Sequence, residues 1–287
     1  MTEVALIREI PALRRQVAEW RRAGQRIALV PTMGSLHAGH LSLVEAAAER
    51  ADRVIVSIFV NPLQFAAGED FERYPRELDA DRQRLEGLPV DLVFAPGEAE
   101  MYPHGRAGLT QVQVPGLSAE FCGEYREGHF EGVTTVVSLL FNVVQADCAV
   151  FGQKDYQQLV IIRRMVRDLH MPIEIVAAPT VRDENGLALS SRNAFLSAPE
   201  REQAAIIYAS LRETADALAH GERDFAALEA GGAERLRAAG LRPQYFGIRT
   251  REIHRPDPDT VEYVILTAAL LGSTRLIDNL LVGPSAA

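Results

Sequence analysis

Long apolar runs and cysteine are scarce in this chain, and acidic residues outnumber basic ones. No stretch approaches the roughly 18 consecutive apolar residues that a membrane-spanning helix requires, so the sequence predicts no membrane span. The 287 residues carry a formal net charge of −9, which gives the chain no overall electrostatic footprint for nucleic acid. The two cysteines, Cys122 and Cys148, lack metal-ligand spacing and suit a reducing compartment, although a disulfide between them stays open. We therefore expect a cytoplasmic protein without a nucleic-acid or membrane partner.

Two common phosphate-binding motifs are also missing. The P-loop pattern G-x-x-x-x-G-K-[ST] does not occur, and no G-x-G-x-x-G follows the first strand-like run. Hydrophobic residues make up 47 % of the chain and charged residues 24 %, which is typical of a globular protein with a substantial core. The chain is therefore not a P-loop protein.

Short β-like runs alternate with helical periods through the first part of the chain. Strand-like runs occupy residues 26–31, 53–60, 90–94, 147–151 and 173–177. Amphipathic helical stripes follow the first and fourth of these runs. This alternation predicts an α/β domain over residues 1–180, with a Rossmann-like, doubly wound parallel sheet covered on both faces. Such sheets bind ligands beyond the carboxyl ends of their strands.

The pattern changes after about residue 180. The stretch 197–200 (SAPE) predicts a capping box with proline in the first helical turn. One long helix is expected to run from there to a stop at Gly221, and a second helical stretch ends near Gly240. Strand-like segments follow at residues 244–248, 261–267 and 274–277. Residues 181–287 are therefore predicted to form a smaller α+β C-terminal domain.

Two histidines lie three residues apart in PTMGSLHAGHLSLV, directly after the first strand-like run. If Ser35 caps the following helix, His37 and His40 lie on one face of its first turns. The unpaired N–H groups there form an anion site, and Gly34 and Gly39 allow a close approach of backbone or ligand. The alternatives are two exposed histidines or a metal pair, although no third zinc ligand stands nearby.

Three further polar stretches also follow predicted strands. Lys154 in FGQKDYQQ could neutralise phosphate charge, Gln64 in NPLQF offers an amide to a small polar substrate, and LSSRN could bind phosphate. Each stretch taken alone is more often an ordinary helix start, turn or surface loop. Because all of them fall at the carboxyl ends of predicted parallel strands, together they favour one ligand site.

These stretches resemble a known family. The H-x-G-H sequence and the LSSR loop are similar to motifs of the nucleotidyltransferase and class I aminoacyl-tRNA synthetase superfamily. More narrowly, the chain resembles the pantoate–β-alanine ligase (pantothenate synthetase) family. The family's motifs occur in the same order here and cover nearly the whole chain. The stretches that carry the resemblance are PTMGSLHAGH, VSIFVNPLQF, YPRELDAD, GHFEGVTTVV, VFGQKDYQQL, GLALSSRN and STRLIDN.

The resemblance implies a two-step ligase reaction. The carboxylate of pantoate would attack the α-phosphate of Mg-ATP, and the amine of β-alanine would then displace AMP from the pantoyl adenylate. Such chemistry needs positioning and charge neutralisation rather than a covalent nucleophile. The family is usually homodimeric, and its second domain acts as a lid over the first.

The resemblance also implies roles for individual residues. His40 would be a proton donor, His37 would contact phosphate, and Lys154 and Arg192 would complete the catalytic set. Gln64 and Gln158 would hold pantoate and β-alanine, and Asp81 would contact magnesium. The ATP-binding residues would be Met33, Gly34, Ser35, Leu36, His37, Ala38, Gly39, His40, Gly152, Gln153, Lys154, Asp155, Val181, Leu189, Ser190, Ser191 and Arg192.

The chain departs from the family pattern at a few positions. Leu189 stands where methionine is usual, and Gln153 replaces a common glutamate. The pair Gly231–Gly232 is expected to break a stretch that is often helical in relatives.

Two rival functions stay open. A nucleotidylyltransferase would use the same histidines but would act on a phosphorylated acceptor, and its product release would not depend on an amine. A nucleotide- or tRNA-binding module derived from a synthetase would bind ATP without turnover, although the acidic balance argues against RNA.

Overall fold

The computed structural model describes residues 4–66 and 68–283. The chain forms two compact units. The first extends up to Gln153 and also includes Ile161–Pro179, whereas the second comprises Lys154–Val160 and the chain from Thr180 onward. The sequence-based domains, 1–180 and 181–287, did not assign Lys154–Val160 to the second unit.

The first unit contains a six-stranded sheet in which all neighbouring strands are parallel. The strands are β1 (Ala5–Ile7), β2 (Ile27–Thr32), β3 (Arg53–Ile58), β4 (Leu92–Phe94), β5 (Cys148–Gly152) and β6 (Glu174–Ala178). Their order is β1–β4–β3–β2–β5–β6. The chain therefore reverses its winding direction between β2 and β5, which creates a topological switch point there. The doubly wound α/β prediction is confirmed.

The central strands form because they are apolar and rich in β-branched residues. Residues 27–30 of β2 are fully buried, and so are Ile55 and Val56 of β3. Both cysteines are buried, and no disulfide joins them. The sheet core thus fixes the carboxyl ends of β2, β3 and β5, from which the predicted site residues follow.

Among the described residues of this unit, seven α-helices lie wholly or in part within it. They are α1 (Ile10–Arg22), α2 (Ala38–Ala48), α3 (Leu78–Leu85), α4 (Glu98–Met101), α5 (Cys122–Tyr125), α6 (His129–Val144) and α7 (Tyr156–Asp168). Sequence periodicity did not predict α6, because 13 of its 16 residues are buried and no polar face marks the helical period. Among the helices of residues 4–66 and 68–283, none combines the length and apolar character needed to cross a bilayer.

The second unit combines three helices with an antiparallel sheet in the order β7–β8–β9. Its elements are α8 (Ala198–Ala204), α9 (Ile206–Ala219), α10 (Phe225–Ala238), β7 (Arg242–Thr250), β8 (Tyr263–Leu271) and β9 (Thr274–Val282). The predicted capping box is present, because Ser197 and Glu200 each accept the other's backbone N–H. The predicted single long helix is wrong: it is interrupted at Ala205, whose N–H bonds to the Glu202 carbonyl three residues back.

The expected break at Gly231–Gly232 is also wrong, because α10 runs through both glycines. A Cβ atom on Gly232 would lie 2.4 Å from the ring of Phe246 on β7. Glycine therefore allows α10 to approach the sheet closely, and this packing outweighs the low helix propensity of glycine.

Candidate active site

The turn that follows β2 reverses the chain through two left-handed residues. Gly34 has a φ of +83° and Ser35 a φ of +52°. The Thr32 hydroxyl accepts from the Gly34 N–H at 3.2 Å and donates to the Ser57 carbonyl at 2.8 Å. Ser35 is therefore part of the turn that precedes α2. The prediction that it caps α2 is wrong, because the N-cap residue is His37.

The two histidines cap α2 with their ring nitrogens. The Gly39 N–H donates to His37 Nδ1 at 3.1 Å, and the His37 N–H donates to His40 Nδ1 at 3.3 Å. A nitrogen that accepts a hydrogen bond carries no proton, so we assign the ring proton of each neutral histidine to Nε2. The ring centroids lie 4.1 Å apart. The pair therefore presents two Nε2–H donors at the positive end of a helix, which suits an anionic ligand.

Asp81 holds this turn from the side of α3. Its side chain is 1 % exposed, Oδ2 accepts from the Ser35 N–H at 2.8 Å, and Oδ1 accepts from the Leu36 N–H at 2.7 Å. The Arg84 guanidinium approaches Oδ1 at 3.4 Å. Two backbone donors thus occupy the carboxylate. This environment does not fit a magnesium ion, which needs accessible carboxylate oxygens and several waters.

Gln64 lies in a 3₁₀ turn (Pro62–Gln64) after β3, and its amide is oriented by neighbouring side chains. Asn61 Nδ2 donates to Gln64 Oε1 at 3.1 Å, and Gln64 Nε2 contacts Met33 Sδ at 3.0 Å. The Tyr102 hydroxyl donates to Asn61 Oδ1 at 2.6 Å. Burial raises the pKa of Tyr102, so this donor stays protonated. The structure thus joins Gln64 to the turn after β2.

Sequence reasoning missed a polar cluster behind Gln64. The carbonyl oxygen of Gln64 accepts from His129 Nδ1 at 2.8 Å and from Arg126 at 3.2 Å. Arg126 also donates to both carboxylate oxygens of Glu69, at 2.6 and 2.7 Å. Burial acts to raise the pKa of Glu69, but the hydrogen bonds and charge of Arg126 outweigh it and lower the pKa. Two signals in the sequence were available for this cluster: the three-residue spacing of Arg126 and His129, and the stretch GHFEGVTTVV, which contains His129.

Helix α6 brings this cluster close to the 3₁₀ turn through a glycine. A Cβ atom on Gly132 would lie 2.2 Å from the Leu63 carbonyl oxygen. The Gly132 carbonyl also accepts from Asn61 Nδ2 at 3.0 Å. The backbone that carries Gln64 is therefore in direct contact with the helix.

Predicted residues follow the end of β5 as well. Gly152 is the last residue of β5, and Leu43 of α2 lies 3.9 Å from the position of a Cβ atom on it. Gln153 opens the 3₁₀ turn Gln153–Asp155. Since β2 and β5 are neighbours, the first unit brings together the Met33–His40 stretch, Gln64, Asp81 and Gly152 at the carboxyl edge of its sheet.

In the second unit, Lys154 is held through its backbone. Asn279 of β9 donates from Nδ2 to the Lys154 carbonyl at 2.8 Å. The Lys154 ammonium lies 3.4 Å from Asp155 Oδ2, and the lysine side chain is 19 % exposed. Gln158 lies in the first turn of α7 and is half-buried. The contact with Asn279, within STRLIDN, could not be read from the sequence.

A short hairpin carries the remaining predicted residues. The Leu189 N–H donates to the Val181 carbonyl at 2.9 Å, which places these two residues side by side. Ser190 then caps the 3₁₀ helix Ser191–Phe195, because its hydroxyl accepts from the Arg192 N–H at 3.2 Å. The loop therefore presents Ser190, Ser191 and Arg192 as the first turn of a helix, a geometry that can receive an anion.

The base of this hairpin is fixed by a buried ion pair. Arg182 donates to the two oxygens of Asp278 at 2.6 and 2.9 Å, and its guanidinium lies 3.8 Å from the ring centroid of Tyr208. Burial raises the pKa of Asp278, and Arg182 opposes that shift. The sequence analysis assigned no role to either partner.

Comparisons with known proteins identify one family. The family model described as pantoate-beta-alanine ligase matches residues 5–281. The chain is similar to the pantothenate synthetase of Pseudomonas putida (strain W619), with 57 % identity over 283 residues and 98 % of each chain covered. It is 56 % identical to that of Stutzerimonas stutzeri over 278 residues, which cover 96 % of this chain and 97 % of the relative.

Solved structures agree with these matches. The pantothenate synthetase of Thermus thermophilus gives a TM-score of 0.91 at 45 % identity, and the pantoate-beta-alanine ligase of Francisella tularensis, complexed with beta-gamma ATP and β-alanine, gives 0.79 at 34 %. Each comparison covers 98 % of this chain and 100 % of the other. The chain belongs to the pantoate–β-alanine ligase family.

Proposed function

We propose that this chain condenses pantoate with β-alanine at the expense of ATP. A pantoate carboxylate oxygen attacks the α-phosphorus, the bond to the β-phosphate oxygen breaks, and pyrophosphate leaves. The β-alanine amine then attacks the carbonyl carbon of the pantoyl adenylate, loses a proton and expels AMP. The product is the amide pantothenate, and the chain is an AMP-forming ligase. Its match to the family over residues 5–281 supports this assignment.

The observation that carries the proposal is the histidine cap of α2. The cap assigns the ring protons of His37 and His40 to Nε2, so both rings are donors at a helix N-terminus beside the topological switch point. Such donors stabilise negative charge as it develops on phosphate oxygens. We assign proton donation to His40 and phosphate contact to His37. Lys154 and Arg192 supply positive charge in the same reaction.

We assign the nucleotide to three stretches of the chain. The stretch Met33–His40 offers two imidazoles at the start of α2, Gly152–Asp155 follows β5, and the hairpin Val181–Arg192 ends in a capped turn. The proposed ATP-binding residues are Met33, Gly34, Ser35, Leu36, His37, Ala38, Gly39, His40, Gly152, Gln153, Lys154, Asp155, Val181, Leu189, Ser190, Ser191 and Arg192.

We assign two glutamines, Gln64 and Gln158, to the binding of pantoate and β-alanine. Gln64 is held through its side chain by Asn61 and through its carbonyl by His129, so its amide is oriented before substrate arrives. Gln158 lies at the start of α7. Neutral amides recognise hydroxyl groups and a carboxylate without repelling either, which suits pantoate better than a phosphorylated acceptor.

Magnesium enters this proposal as part of the substrate Mg-ATP. Among residues 4–66 and 68–283, no group of three or more His, Cys, Asp or Glu side chains could hold a metal ion. Magnesium in such reactions is commonly held by substrate phosphates and waters. We further propose a cytoplasmic homodimer with no nucleic-acid partner, which the family resemblance and the net charge of −9 support. Sedimentation of the purified chain tests the dimer.

Pyrophosphate–ATP exchange tests the reaction. With magnesium and pantoate, and without β-alanine, the chain should exchange label between pyrophosphate and ATP; adding β-alanine should then release AMP and pantothenate in equal amounts. Pyrophosphate release that needs a phosphorylated acceptor and no amine, with no free AMP formed, would instead favour a nucleotidylyltransferase. ATP binding without any turnover would indicate a binding module.

A glutamine variant tests the assignment of the acid site. Gln64→Ala should raise the KM for pantoate more than the KM for ATP, because the amide is assigned to the acid alone. The matched control is Gln83→Ala, which removes an exposed glutamine from α3. An unchanged KM for pantoate in Gln64→Ala would contradict the assignment.

A further inference from the structure

The carboxylate of Asp81 is directed at the backbone of the turn after β2. Its two oxygens accept from consecutive N–H groups, those of Ser35 and Leu36, at 2.8 and 2.7 Å. The side chain is 1 % exposed although it belongs to a short, largely charged helix, α3. Two charge-assisted hydrogen bonds from one buried carboxylate form a strong and geometrically specific link between α3 and the turn.

The turn needs such a link because its backbone is strained. Ser35 has a side chain and a φ of +52°, next to Gly34 at +83°. A left-handed residue other than glycine persists only when its surroundings hold it. A Cβ atom on Gly34 would lie 2.9 Å from Asp81 Oδ2. Glycine at this position therefore allows both the left-handed conformation and the close approach of the carboxylate.

The same contacts argue against a metal-binding role for Asp81. A carboxylate that ligates magnesium must present an oxygen lone pair to an ion that usually keeps several waters. Here each oxygen already faces a backbone donor, and Arg84 adds a guanidinium 3.4 Å from Oδ1. A cation beside these three donors would be placed against positive partial charges.

We infer that Asp81 is a positioning residue that holds the turn through the Ser35 and Leu36 N–H groups, and so fixes His37 and His40 for catalysis, and that it does not bind magnesium. This inference rests on the proposed function of the two histidines. The link acts on backbone only, immediately before His37, so it sets where the capped helix begins.

Asp81→Asn is the variant that tests the inference. Asparagine has the same shape but only one acceptor oxygen, so one of the two backbone N–H groups would face its amide NH₂. Leaving a buried donor unpaired should lower kcat/KM for ATP about 10- to 100-fold. The free magnesium concentration that gives half-maximal exchange, at a fixed Mg-ATP concentration, should stay at the wild-type value.

The matched control is Glu49→Gln, which removes one carboxylate from the exposed end of α2. It should leave both quantities unchanged. A spectroscopic readout that needs no substrate is the side-chain ¹⁵N chemical shifts of His37 and His40. In the wild type and in Glu49→Gln these shifts should report protonation at Nε2, and in Asp81→Asn they should move toward tautomer averaging.

Gly34→Ala is a second variant in case Asp81→Asn does not fold. It removes no carboxylate, yet its methyl group would push against Asp81 Oδ2. It should reproduce the histidine shifts and the loss in kcat/KM, again with an unchanged magnesium requirement.

Two results would overturn the inference. A raised magnesium requirement in Asp81→Asn, with activity recovered at excess magnesium, would make Asp81 a metal ligand. Wild-type kinetics together with wild-type histidine shifts would show that the turn does not depend on it. If the wild type itself shows no pantoate-dependent exchange, the proposed function fails, whereas the histidine shifts still decide whether Asp81 holds the turn.

Discussion

Gly132→Ala, a substitution within helix α6, should impair pantoate binding by displacing the 3₁₀ turn that carries Gln64. The added Cβ atom would lie 2.2 Å from the Leu63 carbonyl oxygen and 2.6 Å from the Gln64 nitrogen. Real Cβ contacts stay above 3.0 Å, so α6 or the 3₁₀ turn must move by at least 0.8 Å, the difference between 3.0 and 2.2 Å. Because both sides of this contact are backbone, no side-chain rotation can relieve it.

The magnitudes follow from that displacement. Overpacking typically costs about 1–3 kcal/mol, whereas replacing a helical glycine with alanine contributes about 1 kcal/mol in favour of folding. We therefore expect a net loss of up to about 2 kcal/mol in the free energy of unfolding. A shift of nearly 1 Å in a positioning group can reduce catalysis about 100-fold, and this effect should appear mainly in the KM for pantoate.

The assays are urea unfolding and pantoate-dependent pyrophosphate exchange. Gly231→Ala is the matched control, because it also lies inside a helix, and its nearest neighbour beyond that helix's own backbone would be a flexible arginine end 3.6 Å away. The control should be as stable as the wild type or more so, with unchanged kinetics. If Gly132→Ala matches this control in both stability and pantoate KM, then α6 does not set the position of Gln64.

Three other changes have defined outcomes. His40→Ala and Lys154→Ala should each slow pyrophosphate exchange at least about 100-fold with an unchanged circular dichroism spectrum; near-normal exchange would refute their roles. Arg126 lowers the pKa of Glu69 below its ordinary value of 4.5, so the stabilisation by Glu69 is complete above about pH 4.5 and is lost as the pH falls through the lowered value. Glu69→Gln should therefore be less stable than the wild type at pH 7, and urea titrations should show the gap closing in acid; a gap independent of pH would contradict this. Gly232→Ala places a methyl group against an aromatic ring of β7 and should be about 1–3 kcal/mol less stable than Gly231→Ala, which gains the same helix propensity; equal thermal stability of the two variants would exclude that overlap.

The sequence was most informative where one local pattern decides the structure. Five of the six strands of the parallel sheet were predicted, because buried parallel strands are short, apolar and β-branched; the three-residue edge strand β1 was not predicted. Helix α6 was not predicted, because a helix buried on nearly every side has no polar face to reveal its period. The expected break at Gly231–Gly232 failed for the complementary reason: tertiary packing decided the outcome, and local propensity did not.

The candidate site likewise contains residues that the sequence predicted and supporting contacts that it did not. The chemistry-bearing residues His37, His40 and Gln64 could be chosen from the sequence, because they follow strand ends in a parallel sheet. Their supporting contacts could not be predicted, because Asp81, chosen only as a magnesium contact, and His129 act on backbone groups that lie 45 and 65 residues away along the chain. No short motif records such a contact. The error over Ser35 was local, since serine is the usual N-cap and a ring nitrogen is a rare substitute for it.

The choice of histidine as the cap of α2 links two properties that most helices keep separate. Asparagine at position 37 could accept the same backbone N–H, yet it has no second nitrogen on the far side of a ring. An imidazole has one nitrogen for the scaffold and one for the ligand, an arrangement that a shorter amide lacks. Removing the imidazole would therefore remove the helix start and the anion-facing donor together.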